Sequence, residues 1–308
     1  MDRGTVRVRV PASTANLGPG FDAIGMAFQL YTELTMSVAE QTEIKLVGTE
    51  LAGIQADKSN LLYQTAAALF TRAGLPVPEL LIEAKSQVPL TRGLGSSAAA
   101  IVGSLVAANI LAGEPFSHDQ LFAIASEMEG HPDNVGASFF GGIIVATMPD
   151  EGETGVPYVR IPVPEGLQTL VVIPDYWLST EEARHVLPDS YSRADFVYNI
   201  GHSSLLVAAL AQGRLDLLAK AMRDRLHQPY RTRLIPGLQE MVTDATNHGA
   251  LGVALSGAGP TTLFFYSGDE EKERLLAFIE GIMAKYMISY RSMELPADNH
   301  GVRILERE

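Results

Sequence analysis

The start of the chain carries the alternating pattern of β-strands. Valine and arginine alternate over 5–10, which is the period of a half-buried strand, and Pro11 is expected to end that strand. The spans 31–39 and 43–48 predict two more strands that pair with each other. A fourth strand is predicted at 80–84.

Helical patterns begin after these strands. The span 97–112 is apolar on nearly all sides and predicts a buried helix; its continuous apolar run, 98–112, is shorter than the roughly 20 residues of a membrane span. Ser117 with Gln120, and Ser179 with Glu182, match the capping box that starts a helix. Other helices are predicted at 59–73, 118–130, 193–212, 215–226, 238–247 and 270–287, and other strands at 142–147, 156–162, 167–173, 288–294 and 302–305, with a strand–turn–strand unit at 252–267.

The order of these elements predicts an α+β fold. Strands and helices interleave, but several strands alternate as antiparallel strands do, which disfavours a doubly wound parallel sheet. The segment 149–155 is polar and rich in turn residues, so it is the best candidate for a junction between domains 1–155 and 156–308.

Composition excludes several functional classes. The 308 residues are 46% apolar and 19% charged, which is enough for a core in one large or two medium domains. The net charge of −13 disfavours nucleic acids and anionic membranes as partners, because binding them requires clustered lysine and arginine. The absence of cysteine excludes disulfides, thiolate metal sites and thiol nucleophiles. No apolar signal segment is visible near Met1, so we expect a cytoplasmic protein.

Three glycine-rich segments, 11–22, 89–100 and 256–261, are the candidates for chemistry. In the second, two glycines allow a tight turn with exposed N–H groups, and Ser96 and Ser97 then open a helix. The positive end of a helix dipole next to free N–H groups forms an anion site, so this segment predicts a phosphate-binding loop.

Other motif classes fit poorly. The chain has no Gly-Lys-Ser/Thr of a Walker loop, and its two G-x-G-x-x-A matches do not directly follow a strand, as a dinucleotide-binding loop would. The seven histidines form no H-E-x-x-H and no close pair of metal ligands, and no G-x-S-x-G nucleophile elbow occurs.

The three loops, in this order, resemble the GHMP kinase superfamily, which is named after galactokinase, homoserine kinase, mevalonate kinase and phosphomevalonate kinase. The resemblance is closest to the homoserine kinases, through PASTANLGPGFDAIG at 11–25, EGHPDNV at 129–135, TEEARHVLP at 180–188 and HQPYRTRLIPG at 227–237. It implies a two-domain fold: an N-terminal ATP-binding domain like ribosomal protein S5 domain 2, and a ferredoxin-like C-terminal domain. The active site would lie in the cleft between them.

The resemblance also implies an activity and its partners. The γ-phosphoryl group of ATP would pass to the hydroxyl of L-homoserine, with Mg²⁺ as cofactor, in the biosynthesis of threonine. The resemblance also implies a homodimer, which is typical of the family.

By resemblance, the second loop would bind the phosphates of ATP. Ser97, or alternatively Ser96, would offer its hydroxyl to Mg²⁺, and Glu129 would complete the oxygen ligands, with Glu127 as the alternative. Asn60 would be the residue on the adenine side, and Lys85 would neighbour it. The ATP-binding residues implied are Asn60, Pro89, Leu90, Thr91, Arg92, Gly93, Leu94, Gly95, Ser96, Ser97, Ala98 and Ala99.

The substrate is a zwitterion, so it needs both signs of charge. The resemblance assigns its carboxylate to Arg184 and Arg231, with Thr180 nearby and Arg233 as the alternative to Arg231, because arginine pairs with carboxylates through two nitrogens. Asp22 would accept the ammonium group.

Further polar residues complete this implied site. Asn16 would be a second anchor, and His131 and Asn134 would hold the hydroxyl end. Asp133 is a possible general base, although the resemblance favours direct passage of the hydroxyl proton to a phosphate oxygen. Gly257 and Gly259 would close the third loop over the site. The implied catalytic residues are therefore Asn134, Asp133 and Arg184.

Two alternative functions remain open at this point. One is a GHMP kinase for another small alcohol, although the arginine pair favours a substrate with a free carboxylate. The other is a non-catalytic binding protein on the same fold, which retention of the phosphate loop and of the substrate anchors disfavours.

Overall fold

The computed structural model describes residues 4–307, which form two β-sheets with helices packed on them. The α+β prediction is confirmed, since all strand pairs but one are antiparallel among the described residues. The strands are β1 (Thr5–Asn16), β2 (Gly20–Val38), β3 (Glu43–Val47), β4 (Leu80–Ser86), β5 (Ile143–Ala146), β6 (Tyr158–Ile161), β7 (Gln168–Pro174), β8 (Gly252–Leu255), β9 (Thr262–Tyr266), β10 (Tyr290–Glu294) and β11 (Arg303–Arg307).

The helices agree with the prediction where local capping signals define them. Both predicted capping boxes form, at Ser117 and at Ser179, and the apolar helix predicted at 97–112 is buried as expected. The span 215–226, predicted as one helix, instead holds a short 3-10 turn followed by one helical turn. The helices are α1 (Leu61–Arg72), α2 (Ser96–Leu111), α3 (His118–Glu129), α4 (Asp133–Phe140), α5 (Thr180–His185), α6 (Arg193–Ala211), α7 (Leu218–Ala221), α8 (Gln228–Arg231), α9 (Leu238–Asp244) and α10 (Asp269–Lys285).

The first sheet has the strand order β11-β1-β2-β4-β3, and β5 and β6 extend it from β2. The prediction that β2 and β3 pair with each other is wrong. Strand β4 lies between them and is parallel to β3, with Ile44 opposite Ile82. The chain between β3 and β4 contains α1, and such a helical connection allows two strands to pair in parallel.

The first glycine-rich segment is a long hairpin rather than a loop. Pro11 does not end β1, because the register between β1 and β2 shifts between Pro11 and Ala12, and proline is tolerated at such a bulge. The two strands turn only at 17–19, where Leu17 and Gly18 have positive φ angles. The hairpin therefore carries Asn16 and Asp22 to its tip.

The second sheet has the order β10-β7-β9-β8 and is antiparallel throughout. Helices separate β7 from β8 and β9 from β10, which gives the βαββαβ arrangement of a ferredoxin-like unit, as predicted. A buried cluster joins this sheet to the first one, with Met26 and Phe28 of β2 beside Val171 and Phe265. The walls of the cleft between the sheets are thus held by apolar packing.

The division between 1–155 and 156–308 remains a prediction. Two strands from beyond residue 155, β6 and β11, add to the first sheet, so the two segments exchange elements. Within residues 4–307, none of the helices is both long enough and apolar enough to cross a bilayer.

Candidate active site

A cavity of about 540 Å³ opens between the first hairpin, the N-terminal ends of α2, α4 and α5, and the third glycine-rich loop. Its lining combines acidic, basic and amide side chains with glycine backbone, which is typical of a site for small polar ligands. The lining residues are Ala15, Asn16, Asp22, Thr91, Gly93, Gly95, Ser96, Ser97, Met128, Glu129, Gly130, His131, Asp133, Asn134, Leu178, Thr180, Arg184, Arg231, Gly257, Ala258 and Gly259.

The second glycine-rich loop leads directly into the first turn of α2. Gly95 is the N-cap residue with a left-handed backbone (φ 69°), and a Cβ at this position would lie 2.1 Å from the hydroxyl of Ser13. Because the loop passes directly over β1, only glycine fits at position 95. The N-terminal N–H groups of this 16-residue helix border the cavity and form a site for anions.

The third loop is bonded to the other two. The Ser256 hydroxyl donates to the carbonyl of Gly93 at 2.5 Å and lies 2.8 Å from Thr14 Oγ1, and the Gly257 N–H donates to the carbonyl of Ala15 at 3.2 Å. The side chain of Asn16 donates to the carbonyl of Gly257 at 2.9 Å, and its oxygen accepts from the Asp22 N–H at 3.0 Å. The amide of Asn16 is thus occupied in joining the loops, although the residue lines the cavity.

Ser97 and Glu129 contact each other in the lining of the cavity, beside the start of α2. The Ser97 hydroxyl donates to Glu129 Oε2 at 2.8 Å. Burial raises the pKa of Glu129. Glu127 instead forms an ion pair with Arg72 at 2.8 Å on the surface. The geometry therefore favours Glu129 over Glu127.

Asp22 and Arg184, which both line the cavity, form a bidentate ion pair with each other. The two guanidinium nitrogens lie 3.0 and 2.8 Å from the two carboxylate oxygens. The contact raises the pKa of Arg184. Both side chains are about one-third exposed, at 33% and 39%, so a polar ligand in the cavity can reach either one.

Arg231 is buried beside this pair. Its Nε donates to the carbonyl of Ala183 at 3.0 Å, and its Nη1 donates to the carbonyl of Gly257 at 3.0 Å. Burial, followed by the charge of Arg184, lowers the pKa of Arg231 to about 10, so it stays cationic at neutral pH. The Nη2 nitrogen takes no part in these bonds. Arg233, the alternative in the sequence, is exposed and does not line the cavity.

The segment His131–Asn134 leads into the first turn of α4, which begins at Asp133. The side chain of Asp133 is 1% exposed, and its Oδ1 lies 2.6 Å from His131 Nδ1. Burial acts to lower the pKa of His131, but the bond to Asp133 and the negative charges of Asp133, Asp22 and Glu129 together raise the pKa above its usual value. Asn134 Oδ1 accepts from the Ser13 hydroxyl at 3.0 Å, which leaves the Asn134 amide nitrogen for a ligand.

A second cavity, about 210 Å³ and mostly apolar, adjoins the first at Ser96 and Ser97. Asn60 lines it and also caps α1, because its oxygen accepts from the Leu62 N–H at 2.9 Å. Lys85 is exposed and does not border it. The lining residues are Thr32, Leu46, Leu51, Ile54, Asn60, Leu61, Leu62, Ala84, Ser86, Leu90, Ser96, Ser97 and Ala100.

Most of the predicted site residues border one of the two cavities. The exceptions are Pro89, Arg92, Leu94, Ala98 and Ala99 of the second loop. The Arg92 guanidinium lies over the Trp177 ring, at 5.9 Å from its centroid, and not in the cavity. Five further residues line the larger cavity but were not assigned to the site from the sequence. Ala15, Gly130 and Ala258 lie within the quoted motifs, and Met128 and Leu178 lie close to them.

Comparison with family models gives two matches. The model "GHMP kinases N terminal domain" matches residues 60–142, and the model "GHMP kinases C terminal" matches residues 206–284. The first span includes the second glycine-rich loop, α2 and the start of α4, and the second includes Arg231 and the third loop.

Curated proteins and a solved structure are similar over nearly the whole chain. A protein of Deinococcus radiodurans named homoserine kinase is 47% identical, over 96% of this chain and 95% of its own. One of Desulfitobacterium hafniense with the same name is 42% identical, over 97% and 100%. The crystal structure of homoserine kinase from Cytophaga hutchinsonii superimposes with a TM-score of 0.85, at 25% identity, covering 98% of this chain and 97% of that one.

Proposed function

The chain belongs to the homoserine kinases of the GHMP kinase family, and we propose that its larger cavity is where the γ-phosphoryl group of ATP passes to the hydroxyl of L-homoserine. One observation carries this assignment. The cavity has an anion-binding helix N-terminus at one end, while Asp22, Arg184 and Arg231 offer both signs of charge at the other. A zwitterion that accepts a phosphoryl group requires this combination.

ATP fits the two adjoining cavities in one orientation. The apolar cavity takes the adenine ring, since its lining is mainly leucine, isoleucine and alanine. The triphosphate then lies along the second loop, whose N–H groups at the start of α2 stabilise its negative charge. Ser96 and Ser97 border both cavities and mark the connection between base and phosphates.

The residues present fit Mg²⁺. Glu129 and Ser97 supply a carboxylate and a hydroxyl oxygen 2.8 Å apart, and a hard cation prefers such oxygen ligands. The side chain of Glu129 is partly buried, and a cation bound there would offset the cost of that burial. When bound there, Mg²⁺ would neutralise negative charge on the phosphates.

Homoserine would replace the contact between Asp22 and Arg184. Its ammonium group offers Asp22 a positive partner, and its carboxylate offers Arg184 and Arg231 a negative one, so each charge remains paired. Arg231 is fixed by bonds to two backbone carbonyls, which orients its planar guanidinium before the substrate binds. Thr180 and the backbone of Gly257 and Gly259 border the same end.

The hydroxyl end would lie near the start of α4. Ser13 holds the oxygen of Asn134, so the amide nitrogen of Asn134 is the group that can donate to the substrate hydroxyl oxygen and orient it. That oxygen forms a bond to the γ-phosphorus while the bond to the bridging oxygen of ADP breaks. Asp133 accepts from the Asn134 N–H at 2.7 Å and contacts His131, both through Oδ1, while its Oδ2 has no partner among the described residues. On the resemblance, we assign the hydroxyl proton to a phosphate oxygen, with Asp133 as the alternative acceptor.

A substrate panel tests the proposal. ADP release from MgATP would be measured with homoserine, serine, threonine, mevalonate and galactose, each offered separately. We expect turnover with homoserine only. Turnover with another alcohol would retain the kinase and overturn the substrate assignment. Folded protein that binds ATP but releases ADP with none of the five would indicate a non-catalytic binding protein.

Arg231→Leu tests the carboxylate anchor. The KM for homoserine should rise about 10- to 100-fold, because a charge-assisted hydrogen bond contributes about 1.5–3 kcal/mol. The KM for ATP should change little, since Arg231 borders only the larger cavity. Arg233→Leu is the matched control, because Arg233 is exposed nearby and does not line the cavity. An unchanged homoserine KM in Arg231→Leu would remove its assigned role.

The homodimer and the cytoplasmic location belong to the same proposal, and the homodimer rests on the resemblance alone. Sedimentation equilibrium of the purified full-length chain measures the first directly. A monomer at micromolar concentration would contradict it.

A further inference from the structure

His227 is a fully buried histidine that lies between the first hairpin and the substrate end of the cavity, at 0% exposure. Its Nε2 lies 2.7 Å from the carbonyl of Gly18 at the hairpin turn. Its Nδ1 lies 3.1 Å from Nη1 of Arg231, one helical turn along the chain. The ring also stacks on Phe21, with 5.1 Å between centroids.

These two contacts fix the protonation of the ring. A carbonyl can only accept, so Nε2 carries a hydrogen and donates to Gly18; a guanidinium can only donate, so Nδ1 is bare and accepts from Arg231. Burial lowers the pKa of His227 against the opposing charge of Asp224, whose carboxylate lies 3.5 Å from Nε2. The imidazole is therefore neutral, with Nδ1 as the acceptor.

The Arg231 guanidinium meets acceptors from three different parts of the fold. Nε donates to the carbonyl of Ala183 in α5. Nη1 donates to the carbonyl of Gly257 in the third loop and to Nδ1 of His227. His227 is the one of these three whose acceptor is a side-chain atom, and its own position is fixed by the hairpin that carries Asp22.

We propose that His227 is a positioning residue for substrate recognition: its neutral imidazole accepts from Arg231 and thereby holds this guanidinium, the cation for the substrate carboxylate, in the orientation that binds substrate beside Asp22. This inference rests on the proposed function. It explains why an uncharged ring is buried next to an arginine. A protonated ring would repel Arg231 and could not accept from it.

Two substitutions separate the two bonds of the ring. Asparagine can place its oxygen where Nδ1 lies, so His227→Asn retains the acceptor for Arg231 and loses the bond to Gly18. Glutamine can reach the carbonyl of Gly18 as Nε2 does, so His227→Gln retains that donor and loses the acceptor. We expect His227→Gln to raise the homoserine KM about tenfold and His227→Asn to raise it less than about threefold. The kcat and the ATP KM should stay within about twofold of wild type in both, since neither bond faces ATP.

Asn199→Ala is the matched control. Asn199 holds the same turn through a bond to the carbonyl of Pro19 at 3.0 Å, but it forms no bond to Arg231. It should lower the melting temperature while leaving the homoserine KM unchanged. Equal rises in KM in Asn199→Ala and His227→Gln would overturn the proposal, because loosening of the turn alone would then explain both.

The remaining outcomes are also decisive. A rise in KM in Arg231→Leu without one in His227→Gln would retain the carboxylate anchor and overturn the role of His227. Absence of homoserine turnover in the wild-type protein would instead overturn the proposed function. Should His227→Gln not fold, a tenfold rise in homoserine KM in folded His227→Asn would contradict the proposal, because that variant retains the acceptor.

Discussion

Glu129 differs from its neighbour Glu127 in what it contacts. The first bonds Ser97 beside the cavity, whereas the second pairs with Arg72 on the surface. Glu129→Gln should therefore raise the Mg²⁺ concentration needed for half-maximal activity by about tenfold or more and lower kcat, because a neutral amide binds a hard cation weakly. Glu127→Gln should behave as wild type. Titration of Mg²⁺ at saturating ATP and homoserine measures both, and an effect confined to Glu127→Gln would reverse the assignment.

Some neighbouring side chains differ only in the contacts that the fold gives them. Arg231 and Arg233 have the same side chain two positions apart, and a motif match alone leaves both possible. Arg231, the last residue of α8, is buried through contacts with residues far along the chain, whereas Arg233 lies beyond that helix and is exposed. His227 belongs to the quoted segment 227–237, but its role needs the carbonyl of Gly18 and is not visible in the sequence.

At the scale of elements, the start of α2 depends on one glycine. Gly95→Ala should lower kcat/KM for ATP about 100-fold, because the added Cβ would displace Ser13 and with it the oxygen of Asn134. Gly113→Ala is the control: its φ of 84° is also left-handed, but nothing lies within 4 Å of the new Cβ. Both variants carry about 1 kcal/mol of backbone strain. Steady-state kinetics with unfolding curves separate the two effects, and equal kinetics would contradict the role of the loop.

Glu79 joins the starting ends of the parallel strands β3 and β4. It bonds Lys58 at 2.6 Å and the Thr42 N–H at 2.9 Å, which lowers its pKa from 4.5 to about 2. A depressed pKa means that this contribution to stability is complete above pH 4.5 and is lost as the pH falls through about 2. Glu79→Gln should therefore lower the melting temperature at pH 7, and the difference should shrink as the pH falls below 4.5.

Melting curves of wild type, Glu79→Gln and the control Glu165→Gln between pH 7 and pH 3 measure this effect. Glu165 is exposed and has no comparable contact. A difference between wild type and Glu79→Gln that stays constant over that range would show that the contact does not act through the carboxylate charge.

Elements that depend on local signals were predictable, and those that depend on distant partners were not. The capping boxes at Ser117 and Ser179 formed because their bonds span three residues. Pro11 was expected to end β1, yet the bulge against β2 accommodates it. The helix between β3 and β4 was predicted at 59–73, but the strand patterns alone do not show that β3 pairs with β4 and not with β2. No helix was predicted at α4, which is only 8 residues long and begins at Asp133.

At the scale of the whole molecule, Asp298 attaches the segment before β11 to the first sheet. It is 1% exposed and accepts from the Tyr31 hydroxyl and from the N–H groups of His300 and Gly301, all at 2.8 Å. Asp298→Ala should lower the free energy of unfolding by about 3 kcal/mol, because it removes the acceptor of three donors, of which two are partly buried and the Gly301 N–H is buried. Turnover should change little in the folded fraction, since Asp298 does not border the cavity.

Chemical unfolding with Asp189→Ala as the control tests this prediction, because Asp189 is exposed and has no such bonds. A loss of stability no larger than that of the control would show that the segment is held by other contacts.

The position of β11 has a consequence for synthesis of the protein on the ribosome. Strand β1 emerges first, but one of its two neighbours in the sheet consists of residues 303–307. During translation the outer edge of β1 therefore stays unpaired until residues 303–307 have been made, and an unpaired edge readily adds foreign strands. The first sheet thus begins with β1 and is completed by β11, so chaperone protection of the nascent chain matters most for β1.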